Sequence, residues 1–116
     1  MMTYSRGDVV LVLFPDCNLR TAKRRPALVV QGENLQTGLL QTLVAMISSN
    51  MKRAGQPCRV VVRKSSPEGE QMQLQSDSVI MADNLATIRD AEIDRVIGTC
   101  PSMLAVDAAL RVALGL

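Results

Sequence analysis

Apolar residues along this chain come in short runs, broken by turn signals every eight to fifteen residues. That spacing favours strands over helices. Val9–Phe14 is a continuous apolar run, β-branched at its start, which suits a strand buried on both faces; Pro15-Asp16 ends it. A second strand is expected over Ala27–Gln31, after Pro26, and a third over Leu39–Ile47. Met51–Pro57, with Lys52, Arg53, Gly55 and Pro57, reads as a basic loop or turn. Cys58–Arg63 and Gln71–Gln75 are expected to form a hairpin around Ser65-Ser66-Pro67-Glu68-Gly69. Ser78–Met81 is a further short strand, and the last is centred on Arg95–Gly98.

The C-terminus follows a different period. Pro101 sits where a first helical turn would place it, and Met103, Val106, Leu110, Ala113 and Leu114 recur on one helical face. Asp107 and Arg111 have the spacing of an i,i+4 pair on the other side of that helix. Six or so strands closed by one helix predict a mainly β (α+β) chain, a small, strongly bent antiparallel sheet or partly open barrel.

Composition limits the alternatives. The 116 residues, with 47 % hydrophobic content, are expected to form one domain over 1–116. Tyr4 and Phe14 are the only rings, so Val, Leu, Ile, Met and Ala must fill the core. No apolar stretch is long enough to span a membrane, and the opening MMTYSRGD lacks the order of a secretory signal. Three cysteines in no metal-ligand spacing (Cys17, Cys58, Cys100), and no histidine, point to free thiols in a reducing cytoplasm and no metal site.

Charge is unevenly divided. Residues 1–64 carry ten Lys/Arg against three acids, a balance of +7, whereas residues 65–116 carry three arginines against eight acids, a balance of −5. Separate basic and acidic faces are expected, the basic one attracting phosphates. The stretch RTAKRRPALVVQ concentrates Arg20, Lys23, Arg24 and Arg25 ahead of an apolar run. Such charge is either a solvated loop or a device for binding an anion.

Histidine-based acid–base chemistry, a glycine-rich phosphate loop and a nucleophile elbow are all absent from the sequence. Cleavage of RNA by its own 2′-hydroxyl remains open. It requires proton removal from that hydroxyl, proton delivery to the leaving 5′-oxygen, and stabilisation of a phosphorane. A guanidinium suits the last task because it is planar, permanently charged and matches two phosphate oxygens. Arg25, with Pro26 behind it, is the best-placed arginine for this. The Ser48 hydroxyl can bond a phosphate oxygen or the 2′-hydroxyl, and Asp83 can accept a proton if its pKa is raised. Each also has a plain reading: Arg25 as a solvated turn residue, Ser48 within a Ser-Ser-Asn turn, and Asp83-Asn84 as ordinary turn chemistry.

Taken in order, Arg6-Gly7-Asp8-Val9-Val10, a basic loop, and Arg25-Pro26-Ala27-Leu28-Val29-Val30 resemble the PemK/MazF family of toxin endoribonucleases. The resemblance continues through Ala45–Asn50, Asp77–Ile80, Ala86–Ile88 and Val106–Leu110 to a terminal Leu114-Gly115-Leu116, covering nearly the whole chain. It implies a small SH3-like β-barrel with a C-terminal helix, acting as a homodimer. It also implies a growth-inhibiting toxin of a type II toxin–antitoxin system that cuts single-stranded mRNA without metal or other cofactor. The products would be 2′,3′-cyclic phosphate and 5′-hydroxyl ends, and a cognate antitoxin would cover the RNA groove. By position, Arg25 and Ser48 fall on the family's catalytic arginine and its threonine or serine, and Asp83 falls near an acidic position that some members use as a base. Arg6 and Asn50 match positions lining the RNA site, and Arg20, Lys23, Arg24, Lys52 and Arg53 add phosphate-attracting charge.

Two departures bear on activity. Cys17–Arg24 lacks the glycine and glutamate that many members carry in this loop, and Met81 stands where some have arginine. A non-catalytic reading therefore stands beside the enzymatic one: the same barrel serves toxins that poison DNA gyrase through protein contact, and small barrels bind nucleic acid without cutting it. The antitoxin expected in either case has an acidic, partly disordered segment that folds along the basic groove.

Overall fold

The first apolar run becomes β1 (Asp8–Pro15), which pairs antiparallel with β2 (Ala22–Val29) on one side and β6 (Ile93–Thr99) on the other. The computed structural model describes residues 4–15, 22–33, 35 and 37–116, with backbone alone at 14, 15, 22 and 23. Next to β2 lies β3 (Gln41–Ser48), then the twelve-residue β5 (Ser78–Arg89), then β4 (Arg59–Val62) at the edge. The sheet order is β4-β5-β3-β2-β1-β6, with every pairing antiparallel. Among the described residues two α-helices accompany the sheet, α1 (Pro67–Met72) and α2 (Met103–Leu114).

Alternation along the strands builds two cores. Val9, Leu28, Ala45, Ile47 and Ile80 face one way, and Met72 and Leu74 near α1 and Val106 from α2 cover them. Val10, Val12, Val29, Val44, Met46 and Val79 face the other way, joined by Met81, Ile88 and Ile93. Among the described residues no α-helix contributes to this second face. It is buried because the sheet curls over itself, and Met51 and Ala54 pack at its end. The fold is thus the expected mainly β one with a C-terminal helix, barrel-like but open: the ladder does not close between the edge strands β4 and β6.

α1 spans that open side. Gly98 in β6 lies so close to it that an added Cβ would stand 2.5 Å from the Gln71 carbonyl oxygen and 2.7 Å from Met72 backbone atoms. At the other end, a Cβ on Gly69 would stand 2.1 Å from the Arg63 carbonyl oxygen. The helix is clamped between the end of β4 and β6, with Met72 fully buried.

Several expectations are corrected. The hairpin over Cys58–Arg63 and Gln71–Gln75 does not form; β4 pairs with β5 and the intervening segment is helical. Ser66 caps this helix, its Oγ accepting from the Gly69 N–H at 3.0 Å; Pro67 opens it, and Glu68 and Glu70 complement its dipole. Asp83-Asn84 is not a strand-ending turn, because β5 runs through it. Ala45 pairs with Leu85 while Met46 pairs with Met81, so Ala82, Asp83 and Asn84 bulge out of the β3–β5 ladder. β2 begins at Ala22, which puts Arg25 mid-strand, opposite Val12, rather than at a strand mouth. Asp107 bonds to Arg6 and not to Arg111.

Candidate functional site

A groove of about 900 Å³ is lined by Arg24, Arg25 and Pro26 of β2, by Ile47 and Ser48 at the end of β3, and by Ser49, Asn50 and Arg53 beyond it. A second wall comes from the segment after α1 (Gln73, Leu74, Gln75, Ser76), and β6 contributes Arg95, Val96 and Ile97. Among the described residues its lining holds four arginines and no carboxylate. A site of this charge attracts phosphate.

Local chemistry sets how these groups are presented. Pro26 sits opposite Leu11 and has no N–H to give the ladder, and its ring forms part of the groove beside Arg25. Arg25 is exposed and makes neither an ion pair nor a side-chain hydrogen bond with another described residue. Ser48 Oγ accepts from the Asn50 N–H at 3.1 Å, so its own proton is left to donate. Asn50 Oδ1 accepts from the Lys52 N–H at 3.1 Å and caps the short 3-10 turn Met51–Arg53. The Asn50 amide NH2 is thereby left with its donors, and Arg53 is fixed at the groove.

Arg24 and Arg95 share a carboxylate just beyond the lining: Asp94 Oδ2 lies 3.4 Å from Arg24 Nε and 3.7 Å from Arg95 Nη1. Four ion pairs join an arginine of the basic half to an acid of the acidic half: Arg6–Asp107, Arg24–Asp94, Arg59–Asp83 and Arg63–Asp77. Separate basic and acidic faces are therefore not what the charge division produces. The acids pair with Arg6, Arg24, Arg59 and Arg63 and leave Arg25 and Arg53, among the described residues, as groove arginines without a carboxylate partner.

Other sequence candidates lie elsewhere. Arg6 donates through Nε to the Val30 carbonyl at 3.1 Å and through Nη2 to Asp107 on α2, which ties the helix to the sheet outside the groove. Lys52 is exposed on the 3-10 turn but does not line the groove. Arg20 and the Lys23 side chain lie outside the described residues, as does Cys17. Asp83 is also outside the lining. Hydrogen bonds from Arg59 hold its carboxyl below the usual carboxylate range, so the raised pKa that a base role would need is not met. Burial pushes the Cys100 thiol up, which leaves it inert. Among the described residues no cluster of potential metal ligands occurs, and no helix is long and apolar enough to cross a membrane.

The sequence does not mark Arg95, which sits within the acidic half, or Gln73 and Gln75, which the apolar pattern places in a strand, as groove residues.

The family model described as "PemK-like, MazF-like toxin of type II toxin-antitoxin system" matches residues 5–114. Endoribonuclease MazF2 of Mycobacterium bovis is 30 % identical over 119 residues, covering 99 % of this chain and all of the relative. Among solved structures, a mycobacterial endoribonuclease in complex with its cognate antitoxin is similar in fold, with TM-score 0.72 at 22 % identity, covering 98 % of this chain and 97 % of the other. MazF in a MazE–MazF crystal from Deinococcus radiodurans gives TM-score 0.73 at 18 % identity, covering 99 % of each chain.

Proposed function

The chain belongs to the PemK-like, MazF-like toxin family of type II toxin–antitoxin systems, and from that premise we propose that it is an endoribonuclease cutting single-stranded mRNA in the cytoplasm. The observation that carries this reading is the groove whose lining Arg25, without a carboxylate partner among the described residues, shares with the Ser48 hydroxyl. RNA enters with a phosphate between them. The 2′-hydroxyl gives its proton to solvent water as its oxygen attacks phosphorus, the P–O5′ bond breaks, the leaving 5′-oxygen takes a proton from water, and the products are a 2′,3′-cyclic phosphate and a 5′-hydroxyl. Negative charge grows on the non-bridging oxygens as the phosphorane forms. Arg25 meets that charge with two parallel N–H donors, and the Ser48 hydroxyl adds a third. A guanidinium supplies what a metal ion supplies in other nucleases, so the reaction proceeds in chelator.

Arg24, Arg53 and Arg95 hold the flanking phosphates, and the Asn50 amide donates to the chain passing over it. Asp83 is assigned to support and not to proton transfer, since it lies outside the groove lining and its hydrogen bonds from Arg59 lower its basicity. The protein acts as a homodimer. Its C-terminal helix leaves Leu104, Val112, Leu114 and Leu116 exposed, an apolar surface suited to a second copy. A cognate antitoxin blocks the groove by laying an acidic segment along these arginines.

Incubation with single-stranded RNA in chelator, followed by analysis of the new ends, tests the proposal. Cyclic-phosphate ends from the wild type and none from Arg25→Ala are expected; RNA binding without cleavage would refute it.

A further inference from the structure

α1 ends on a residue whose backbone argues against its side chain. Gln73 is the C-cap, with φ 57° and ψ 39°, and is the one non-glycine residue with positive φ among those described. Its N–H reaches the Glu70 carbonyl at 3.1 Å, and the Leu74 N–H closes on the Gly69 carbonyl at 3.2 Å. At such a cap glycine is usual, because a side chain in the left-handed region is strained. Glutamine is neither glycine nor the asparagine that sometimes replaces it. The turn geometry gives no reason for the long amide, but its place does: Gln73 lies in the groove lining, at the border with a second hollow formed by Lys64, Gly69, Glu70 and Asp77.

The support for this residue is rigid. Leu74, next in sequence, is buried in the core, so Gln73 and Gln75 are held on either side of a fixed anchor. Behind them α1 is clamped by the close approaches at Gly69 and Gly98. Neither glutamine side chain hydrogen-bonds to another described residue. Both amides therefore bring an unused donor pair and acceptor to a groove that also holds four arginines, the Asn50 amide and several serine hydroxyls.

These two chemistries do different things to a single-stranded nucleic acid. Arginines bind phosphate and carry no sequence information directly; amides match the donor–acceptor edges of bases. We propose that Gln73 and Gln75 are the base-reading wall of the groove, with Gln73 kept in a strained conformation because its amide selects a base at the bound RNA. This rests on the reading of the groove as an RNA site, but not on cleavage occurring there.

The test uses a randomised single-stranded pool of 2′-fluoro RNA, which lacks the attacking hydroxyl and survives. Full-length wild type, Gln73→Gly and Gln75→Ala are used to select bound sequences, which are then read. Wild type is expected to enrich one base by roughly tenfold at one or more positions. Gln73→Gly should flatten one of these positions while its affinity for the unselected pool stays within about threefold, since no phosphate contact is removed. It should also melt at or above the wild-type temperature, because glycine relieves the backbone. Unchanged preferences in both variants, no preference in wild type, or a lower melting temperature for Gln73→Gly would each overturn the inference. A separate assay on ordinary RNA keeps the two readings apart: base selection without cutting would leave this wall standing and remove the proposed activity.

Discussion

Arg59 grips Asp83 with both ends of its guanidinium fork, Nε to Oδ1 at 3.2 Å and Nη2 to Oδ2 at 2.8 Å, and its Nη1 donates to the Arg53 carbonyl at 2.9 Å. One side chain thereby joins the bulge of β5 to the 3-10 turn that presents Arg53 to the groove. Arg59→Ala and Asp83→Asn are each expected to lower RNA cleavage by about three- to tenfold through a looser turn. Because they act through one contact, the double variant should cost less than the sum of the two. If Asp83 were instead the base, Asp83→Asn would shift the pH–rate profile; the expected result is a uniformly lowered profile of the same shape.

Acid sensitivity follows from the same carboxylate and one other. Asp77 accepts from the Lys64 N–H at 2.9 Å and pairs with Arg63, and these contacts hold its pKa below the usual value. Asp83 is lowered as well, chiefly by Arg59. A group with a depressed folded-state pKa binds fewer protons folded than unfolded, so its stabilisation is complete above the unfolded pKa near 4. That stabilisation is lost as pH falls below it. Stability should therefore be flat through neutrality and fall in acid, and Asp77→Asn should show a shallower fall in a melting series across that window.

Gly98 and Gly69 are expected to tolerate nothing larger. Alanine at either would meet backbone of the neighbouring element, at 2.5 Å for Gly98 and 2.1 Å for Gly69, which no side-chain rotation relieves. A loss of about 2 kcal/mol or more is expected for each, read from denaturant midpoints. A neutral Gly98→Ala would mean that α1 does not rest against β6.

Arg6 is expected to matter for stability and not for RNA. Its pair with Asp107 is partly exposed, with side chains 26 % and 43 % accessible, so Arg6→Ala should cost about 0.5–1 kcal/mol. Asp107→Ala should cost a similar amount, and neither should alter the salt dependence of RNA binding. A reduced salt slope in Arg6→Ala would return this residue to the groove.

Which parts of this were legible in the sequence follows from where the determining interactions lie. The runs at Val9–Phe14 and Leu39–Ile47 and the stripe from Met103 to Leu110 are local patterns, and each marked its element to within a few residues. β2 starts earlier than its apolar run because ladder bonds to β1 hold Lys23, Arg24 and Arg25 extended despite their charge. The bulge at Asp83 is set by two neighbours at once, β3 and β4, so Asp83-Asn84 alone reads as a turn. Arg25 and Ser48 were legible as candidates through family resemblance, although Arg25 sits mid-strand and not at the strand mouth. Arg95 and the glutamines reach the groove only because α1 spans the open side of the sheet, a contact no local pattern encodes.

The central claim is that the Arg25 guanidinium and Ser48 hydroxyl form the reacting centre. Its most direct measurement is single-turnover cleavage of single-stranded RNA in chelator by wild type, Arg25→Ala, Arg25→Lys and Ser48→Ala, with the new ends identified. Cyclic-phosphate ends are expected from wild type, with losses of about 10²–10³ for both Arg25 variants and about tenfold for Ser48→Ala. Cleavage by Arg25→Ala at the wild-type rate, or ends bearing a 5′-phosphate, would contradict it.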